Sequence, residues 1–184
     1  MTKLTKPCAT SWLASSQSPT TIVVDGYGFE QNARGVQAAI DSITDSSATK
    51  PYVILLAAGA YDMNWDDTSV VTDMTGSSTP FVAGSGGKDY IGIVGEARDR
   101  VILKRTTAAT SLTGLLQGSP NTYLANLTLS ALSSVTRTLH WDTTGTLYCD
   151  NVAFIGGGPS TGITSSTTVQ YIHRIVNCHF SGNA

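Results

Sequence analysis

The sequence is poor in charged residues and has no long apolar run. Only 13% of its residues are charged and the formal net charge is −2, whereas about a quarter of an average globular chain is charged. A surface with so little positive charge lacks the attraction that nucleic-acid binding requires. No stretch of about eighteen apolar residues occurs, so no segment is predicted to span a membrane.

Cysteines and clustered metal ligands are also few. The chain has 3 cysteines, which cannot all pair with one another, and we expect Cys149 and Cys178 to be buried thiols that act as small apolar side chains. His173 and His179 are expected on different faces of a bend rather than converging on a metal ion. Neither a metal site nor a cofactor is predicted.

The N-terminal region lacks the continuous apolar segment of a signal peptide. This leaves three alternatives: a cytosolic protein, a component assembled in the cytosol into something larger, or a protein given without its leader. Residues 1–20 are mostly Ser, Thr, Pro and Gln with Trp12 and Leu13 as apolar anchors, and are predicted to form an N-terminal arm. Trp12 is therefore a candidate binding residue for a partner.

One in four residues is serine or threonine, which suits exposed strands and turns. Against this background one phrase occurs three times, with asparagine followed by an apolar, a small or polar, and a larger apolar residue. Its copies begin at Asn126, Asn151 and Asn177, which are 25 and 26 residues apart. A repeat of this length predicts a solenoid of stacked coils, with each asparagine at a bend.

Stacking assigns each repeated position to a column that runs from coil to coil about 4.8 Å apart. The interior columns are predicted to be Leu127, Val152 and Cys178, and Leu129, Phe154 and Phe180; the outward column is Thr128, Ala153 and His179. The three asparagines, Asn126, Asn151 and Asn177, are predicted to form a structural ladder rather than a catalytic group.

A helix is predicted over residues 32–44, before the first coils. Asn32 can cap it, and Val36, Ala39, Ile40 and Ile43 have the spacing of one apolar face. A solenoid must cover its first coil, which this helix can do. The predicted fold is therefore all-β: a right-handed, single-stranded parallel β-helix over residues 21–184 with an N-terminal capping α-helix.

Several segments resemble the opening of pectin methylesterases, which belong to the pectin-lyase-like β-helix superfamily. They are Gly35–Ile43, Tyr52–Leu56, Gly59-Ala-Tyr61, Tyr90–Gly95 and Arg98–Ile102, and a weaker resemblance extends through residue 184. The resemblance implies the β-helix fold. It also implies that an esterase would need two aspartates, one as nucleophile and one as acid and base.

The residues at the matching positions do not supply those aspartates. Pro159 stands where the family has its first aspartate, Met63 stands where it has a glutamate, and the second aspartate would follow Ala184. No catalytic residue is therefore predicted, and we lean towards a protein that is not an enzyme.

Four further side chains are candidates for binding. Tyr123 and Tyr148 each stand three residues before their asparagine, so they would form an aromatic strip for a sugar or a protein if they point outward, and would pack under the corners if they do not. His140 and Trp141 lie in the intervening segment, where packing or surface contact is the favoured reading for His140.

The favoured hypothesis is a non-catalytic structural or attachment β-helix, such as a decoration or tail component of a phage virion. The sequence after Phe180 contains no helix or polar coil that would cover the last coil. We therefore expect a homo-oligomer, with a trimer favoured, or contact with neighbouring virion proteins. A surface glycan is a further possible partner.

The alternatives are an esterase truncated before its nucleophile and a secreted glycan-binding module. The expected location is a virion or the extracellular space.

Overall fold

The computed structural model describes residues 18–62, 81–82, 89–105, 115–117, 121–131, 138–140, 145–156, 163–164 and 172–182. These residues form a parallel β-solenoid with one short helix near its N-terminal end, which confirms the predicted fold class. The strands are β1 Thr20–Val24, β2 Tyr52–Leu56, β3 Gly59–Asp62, β4 Phe81–Val82, β5 Ile91–Gly95, β6 Val101–Arg105, β7 Leu116–Gln117, β8 Tyr123–Ala131, β9 Leu139–His140, β10 Thr146–Gly156, β11 Ile163–Thr164, β12 Ile172–Val176 and β13 His179–Ser181.

The strands pair in parallel into a long sheet and a short one. In the long sheet, neighbouring strands follow the order β1, β2, β5, β8, β10 and β12. Strands β3, β6 and β13 form second halves of coils: β3 pairs with β6, β6 pairs with β8, and β13 pairs with β10. The short sheet has the order β4, β7, β9, β11. Strands β8 and β10 are longer because each runs through the bend that separates the two halves of its coil.

Helix α1, Ala33–Ser42, packs against the first strands. Its cap is the predicted one, since Asn32 Oδ1 accepts a hydrogen bond from the Gly35 amide at 3.0 Å. The predicted apolar face is completely buried in the main core. The helix is shorter than the predicted 32–44, because Ile43 turns into extended backbone at φ −82 and ψ 115. Within the described residues, no helix is long and apolar enough to cross a membrane.

The strand register confirms the predicted columns except for Cys178, which precedes β13 and packs, partly buried, against the main core. Leu127 pairs with Val152, Leu129 with Phe154, and Phe154 with Phe180. The rings of Phe154 and Phe180 stack with centroids 4.7 Å apart and planes within 4°, which is close to the spacing between strands. The outward column is confirmed as well, because Ala153 pairs with both Thr128 and His179.

The bends at the three repeated asparagines share a left-handed backbone. Asn126, Asn151 and Asn177 have φ of 52, 56 and 54°, a conformation that few residues other than glycine and asparagine adopt without strain. Asn151 Nδ2 donates to Asn126 Oδ1 at 2.9 Å. The next step of the ladder differs, because Asn177 Nδ2 donates to Asp150 Oδ1 at 3.4 Å instead of to Asn151.

A second row of bends lies at the start of the long-sheet strands. Tyr90 and Asn121 have φ of 52 and 54°, and Gly145 has φ 115°. Asn121 Nδ2 donates to Asp89 Oδ1 at 3.1 Å, and Asn121 Oδ1 accepts from the Thr146 amide at 3.2 Å. This row joins three coils with different residues at each step. No repeated phrase in the sequence marks these bends.

The left-handed backbone at position 151 predicts that glycine is better tolerated there than alanine. We expect Asn151→Ala to lower the free energy of unfolding by about 2 kcal/mol, since it loses a hydrogen bond and forces alanine into a left-handed backbone. Asn151→Gly loses the hydrogen bond alone and should be the more stable of the two variants. Urea unfolding monitored by circular dichroism measures both.

A matched control is Ala153, which follows two residues later in the same strand and is not among the residues with positive φ. At this position, Ala153→Gly should lower the free energy of unfolding, because glycine weakens the interior of a strand. If Asn151→Gly were less stable than Asn151→Ala, the bend would not depend on its left-handed backbone.

Candidate functional site

One side of the long sheet faces away from the main core, and we call it the outer face. Alternate residues of a strand point to opposite sides of a sheet, so the neighbours of the core residues Ile54, Ile93 and Leu124 lie on this outer face. Two rows of registered residues cross it. One row is Thr21, Val53, Gly92, Tyr123, Tyr148 and Arg174, and the other is Val23, Leu55, Val94, Ala125, Asp150 and Val176.

The outer face carries an apolar cluster that is distinct from the main core. Its buried members come from both rows, and Leu55 and Tyr90 pack against them. The buried members are Val53, Val94, Tyr123, Ala125 and Tyr148. The sheet therefore has apolar side chains on both sides over its middle strands, which is the pattern of a sheet that is covered on both faces.

A groove of about 320 Å³ lies over this cluster. Residues of β1, β2, β5, β8 and β10 line it, together with the bend residues Glu96 and Asn126. Its charged lining residues are Glu96 and Asp150, among those the structure describes. Glu96 Oε2 accepts a hydrogen bond from the Ala58 amide at 3.1 Å. An apolar floor with two carboxylates has the chemistry of a binding surface for a segment that is both apolar and basic.

Tyr123 and Tyr148 lie side by side on the outer face, as neighbours in the strand register. They therefore point outward, as the aromatic-strip alternative requires, but they are only 3% and 9% exposed. The Arg174 guanidinium carbon lies 5.8 Å from the centre of the Tyr148 ring, within the range of a cation–π contact. The tyrosines thus form a packed pair with an exposed arginine at one end.

The other candidate binding residues do not join this pair. The backbone of His140 lies in β9 of the short sheet, where it pairs with Gln117 and Thr164. Trp12 and Trp141 fall outside the described residues. The structure therefore brings together two of the five candidates, and places His140 in a different sheet from them.

The last described coil has an open end. Strands β12 and β13 each pair with β10, and no pairing on their other edge occurs among the described residues. Ile175 and Phe180, which continue two interior columns, are 40% and 48% exposed. We call these two residues and the free edges of β12 and β13 the open end. It combines apolar side chains with unpaired strand backbone.

Cys149 and Cys178 are neighbouring thiols with opposite properties. Cys149 is buried and Cys178 is half-buried, and both are free. A hydrogen bond from the Cys149 thiol to Cys178 lowers the pKa of Cys178 to about 7, against the opposing effect of burial. Burial raises the pKa of Cys149 well above its usual value. The prediction of two buried thiols is thus correct for Cys149, whereas Cys178 is half-buried because it belongs to the last coil.

Comparisons with known proteins give no match: a scan against models of protein families, a search of curated proteins and a search of solved structures each found none.

The opposite pKa shifts of the two thiols predict that Cys178 is alkylated in preference to Cys149. Cys178 should react with iodoacetamide at a rate that rises through a midpoint near pH 7, because the thiolate is the nucleophile. Cys149 should remain unmodified in the folded protein. Peptide mass spectrometry after timed alkylation at several pH values measures each cysteine separately.

The matched control is Cys149→Ala, which removes the hydrogen-bond donor. The midpoint for Cys178 should then move up towards the ordinary thiol range near 8.5. An unchanged midpoint would show that Cys149 does not lower the pKa of Cys178.

Proposed function

We propose that this protein is a non-catalytic structural or attachment module that works through contacts of its solenoid with other protein subunits. The observation that carries the proposal is the open end, where Ile175 and Phe180 continue interior columns yet are exposed. Burying such side chains is favourable by about 25 cal/mol for each Å² of apolar surface. The unpaired edges of β12 and β13 add backbone groups that a neighbouring subunit can satisfy.

The setting that fits this proposal is a virus-like assembly, in which the chain is a decoration or tail component of a virion. The resemblance of the sequence to the pectin-lyase-like superfamily supports this setting, because phage tail proteins also use that β-helix fold. Within such a particle we propose a homo-oligomer, preferably a trimer. The absence of an aspartate at Pro159 supports a role without the esterase reaction.

Sedimentation velocity of the full chain over a range of concentrations tests the proposal. We expect an assembly larger than a monomer that the substitution Phe180→Asp weakens by about tenfold or more, since a charge replaces a side chain whose burial is worth about 1.5–3 kcal/mol. The control is Tyr27→Asp, which changes a 95% exposed aromatic residue near the N-terminal end and should leave association unchanged.

A monodisperse monomer at every concentration would contradict the assembly. Release of methanol from methyl-esterified pectin by the full chain would contradict the non-catalytic role and favour the esterase alternative. The two measurements are independent, so each part of the proposal can fail alone.

A further inference from the structure

The outer face of the long sheet carries an apolar surface over its middle strands. Val53, Val94 and Ala125 are 2, 5 and 2% exposed, although they point away from the main core. These three side chains belong to the lining of the groove, and the space of about 320 Å³ over them is open. Val23, in the same row at the β1 edge, remains 42% exposed.

The described part of this surface is built by the sheet itself. Every described member of the outer cluster lies on β2, β5, β8 or β10, apart from Tyr90, which directly precedes β5. Helix α1 packs on the other side, in the main core. The sheet therefore builds an open apolar groove with two carboxylates in its lining, which a further segment of suitable chemistry can occupy.

We propose that the groove on the outer face is the docking site of the protein's own N-terminal arm, residues 1–17, with Trp12 and Leu13 as its apolar anchors. This interaction does not depend on the proposed assembly through the open end, because the two surfaces lie on different parts of the solenoid.

Continuity of the chain favours this occupant. The arm leads into β1, and Thr21 and Val23 of β1 already line the groove. From Trp12 to Thr20 the chain can extend about 26 Å at about 3.3 Å per residue. The four strand spacings from β1 to β10 amount to about 19 Å at about 4.8 Å each. Trp12 can therefore reach every strand that lines the groove without an arm from a second copy.

Charge and composition favour the same occupant. Residues 1–17 contain Lys3 and Lys6 and no acidic residue, while the charged residues described in the groove lining are Glu96 and Asp150. Trp12 and Leu13 are adjacent and are preceded and followed by small residues, so they can enter the groove together. A tryptophan side chain buries about 150–250 Å² of surface, which gives the docked arm its main apolar contact.

Zero-length carbodiimide coupling of the full chain tests the proposal, since it joins a lysine amine to a carboxylate that touches it. We expect amide links from Lys3 or Lys6 to Glu96 or Asp150, identified by peptide mass spectrometry. The pair Lys104 and Asp62, whose Nζ and Oδ2 are 3.3 Å apart, provides a link that reports the folded solenoid in the same sample.

The double variant Trp12→Ser and Leu13→Ser should lower the arm-to-groove links at least tenfold and leave the Lys104–Asp62 link unchanged. This variant keeps every residue of the groove, so it does not disturb the fold that is being probed. Ala125→Arg, which fills the groove floor, should have the same effect, whereas Ile155→Arg on an exposed position outside the groove should not.

An equal mixture of ¹⁴N- and ¹⁵N-labelled protein, combined before assembly, separates links within one chain from links between chains. Links within one chain support the proposal. The proposal is overturned by links exclusively between chains, which would assign the groove to the arm of a second copy. It is also overturned if arm-to-groove links are absent while Lys104 couples to Asp62, or if the double variant leaves them unchanged.

Discussion

The left-handed bend between the two halves of each coil is the constraint on which the rest of the structure depends. A strand that continued straight would carry Leu127 and Leu129 away from the core that Leu124 enters. The positive φ of Asn126 turns the chain so that residues before and after it face the same interior. Because the bend recurs at Asn151 and Asn177, the coils stack in register, and the columns of apolar residues follow from that stacking.

The sequence predicts the parts of the fold in which one residue type recurs. Asparagine stands at three successive bends, so the columns beginning at Leu127 and Leu129 could be assigned before the structure was known. The second row of bends was missed because its positive φ angles occur at three different residue types, which are Tyr90, Asn121 and Gly145. The hydrogen bond of Asn121 also goes to an aspartate, Asp89, and not to another asparagine. A requirement that several residue types satisfy leaves no repeated phrase to find.

The binding surface could be predicted less well than the fold. Tyr123 and Tyr148 were found through their fixed distance from the asparagines, and they do lie together on the outer face. The groove around them was not predicted, because the run Tyr52–Leu56 is apolar on both faces of its strand. Alternation reveals which face is buried only when the opposite face is polar, so such a strand gives no sign of a groove on its second face.

These features describe a solenoid that presents two apolar surfaces besides its core. The open end consists of the free edges of β12 and β13 and of columns whose last described members, Ile175 and Phe180, are exposed, whereas the groove lies over the middle strands and has two carboxylates in its lining. We assign the first to contacts with other subunits and the second to the protein's own arm. Both assignments require that the coils stack in the observed parallel register.

Nuclear Overhauser spectroscopy of the isotopically labelled protein tests that register most directly. The account predicts backbone proton contacts that link Leu124 with Cys149 and Leu127 with Val152, on the two sides of the bend, in the order of parallel strands. Contacts in the opposite strand order, or a set shifted by one residue so that Leu127 lies beside Ala153, would contradict it, because a one-residue shift moves every core side chain to the outer face.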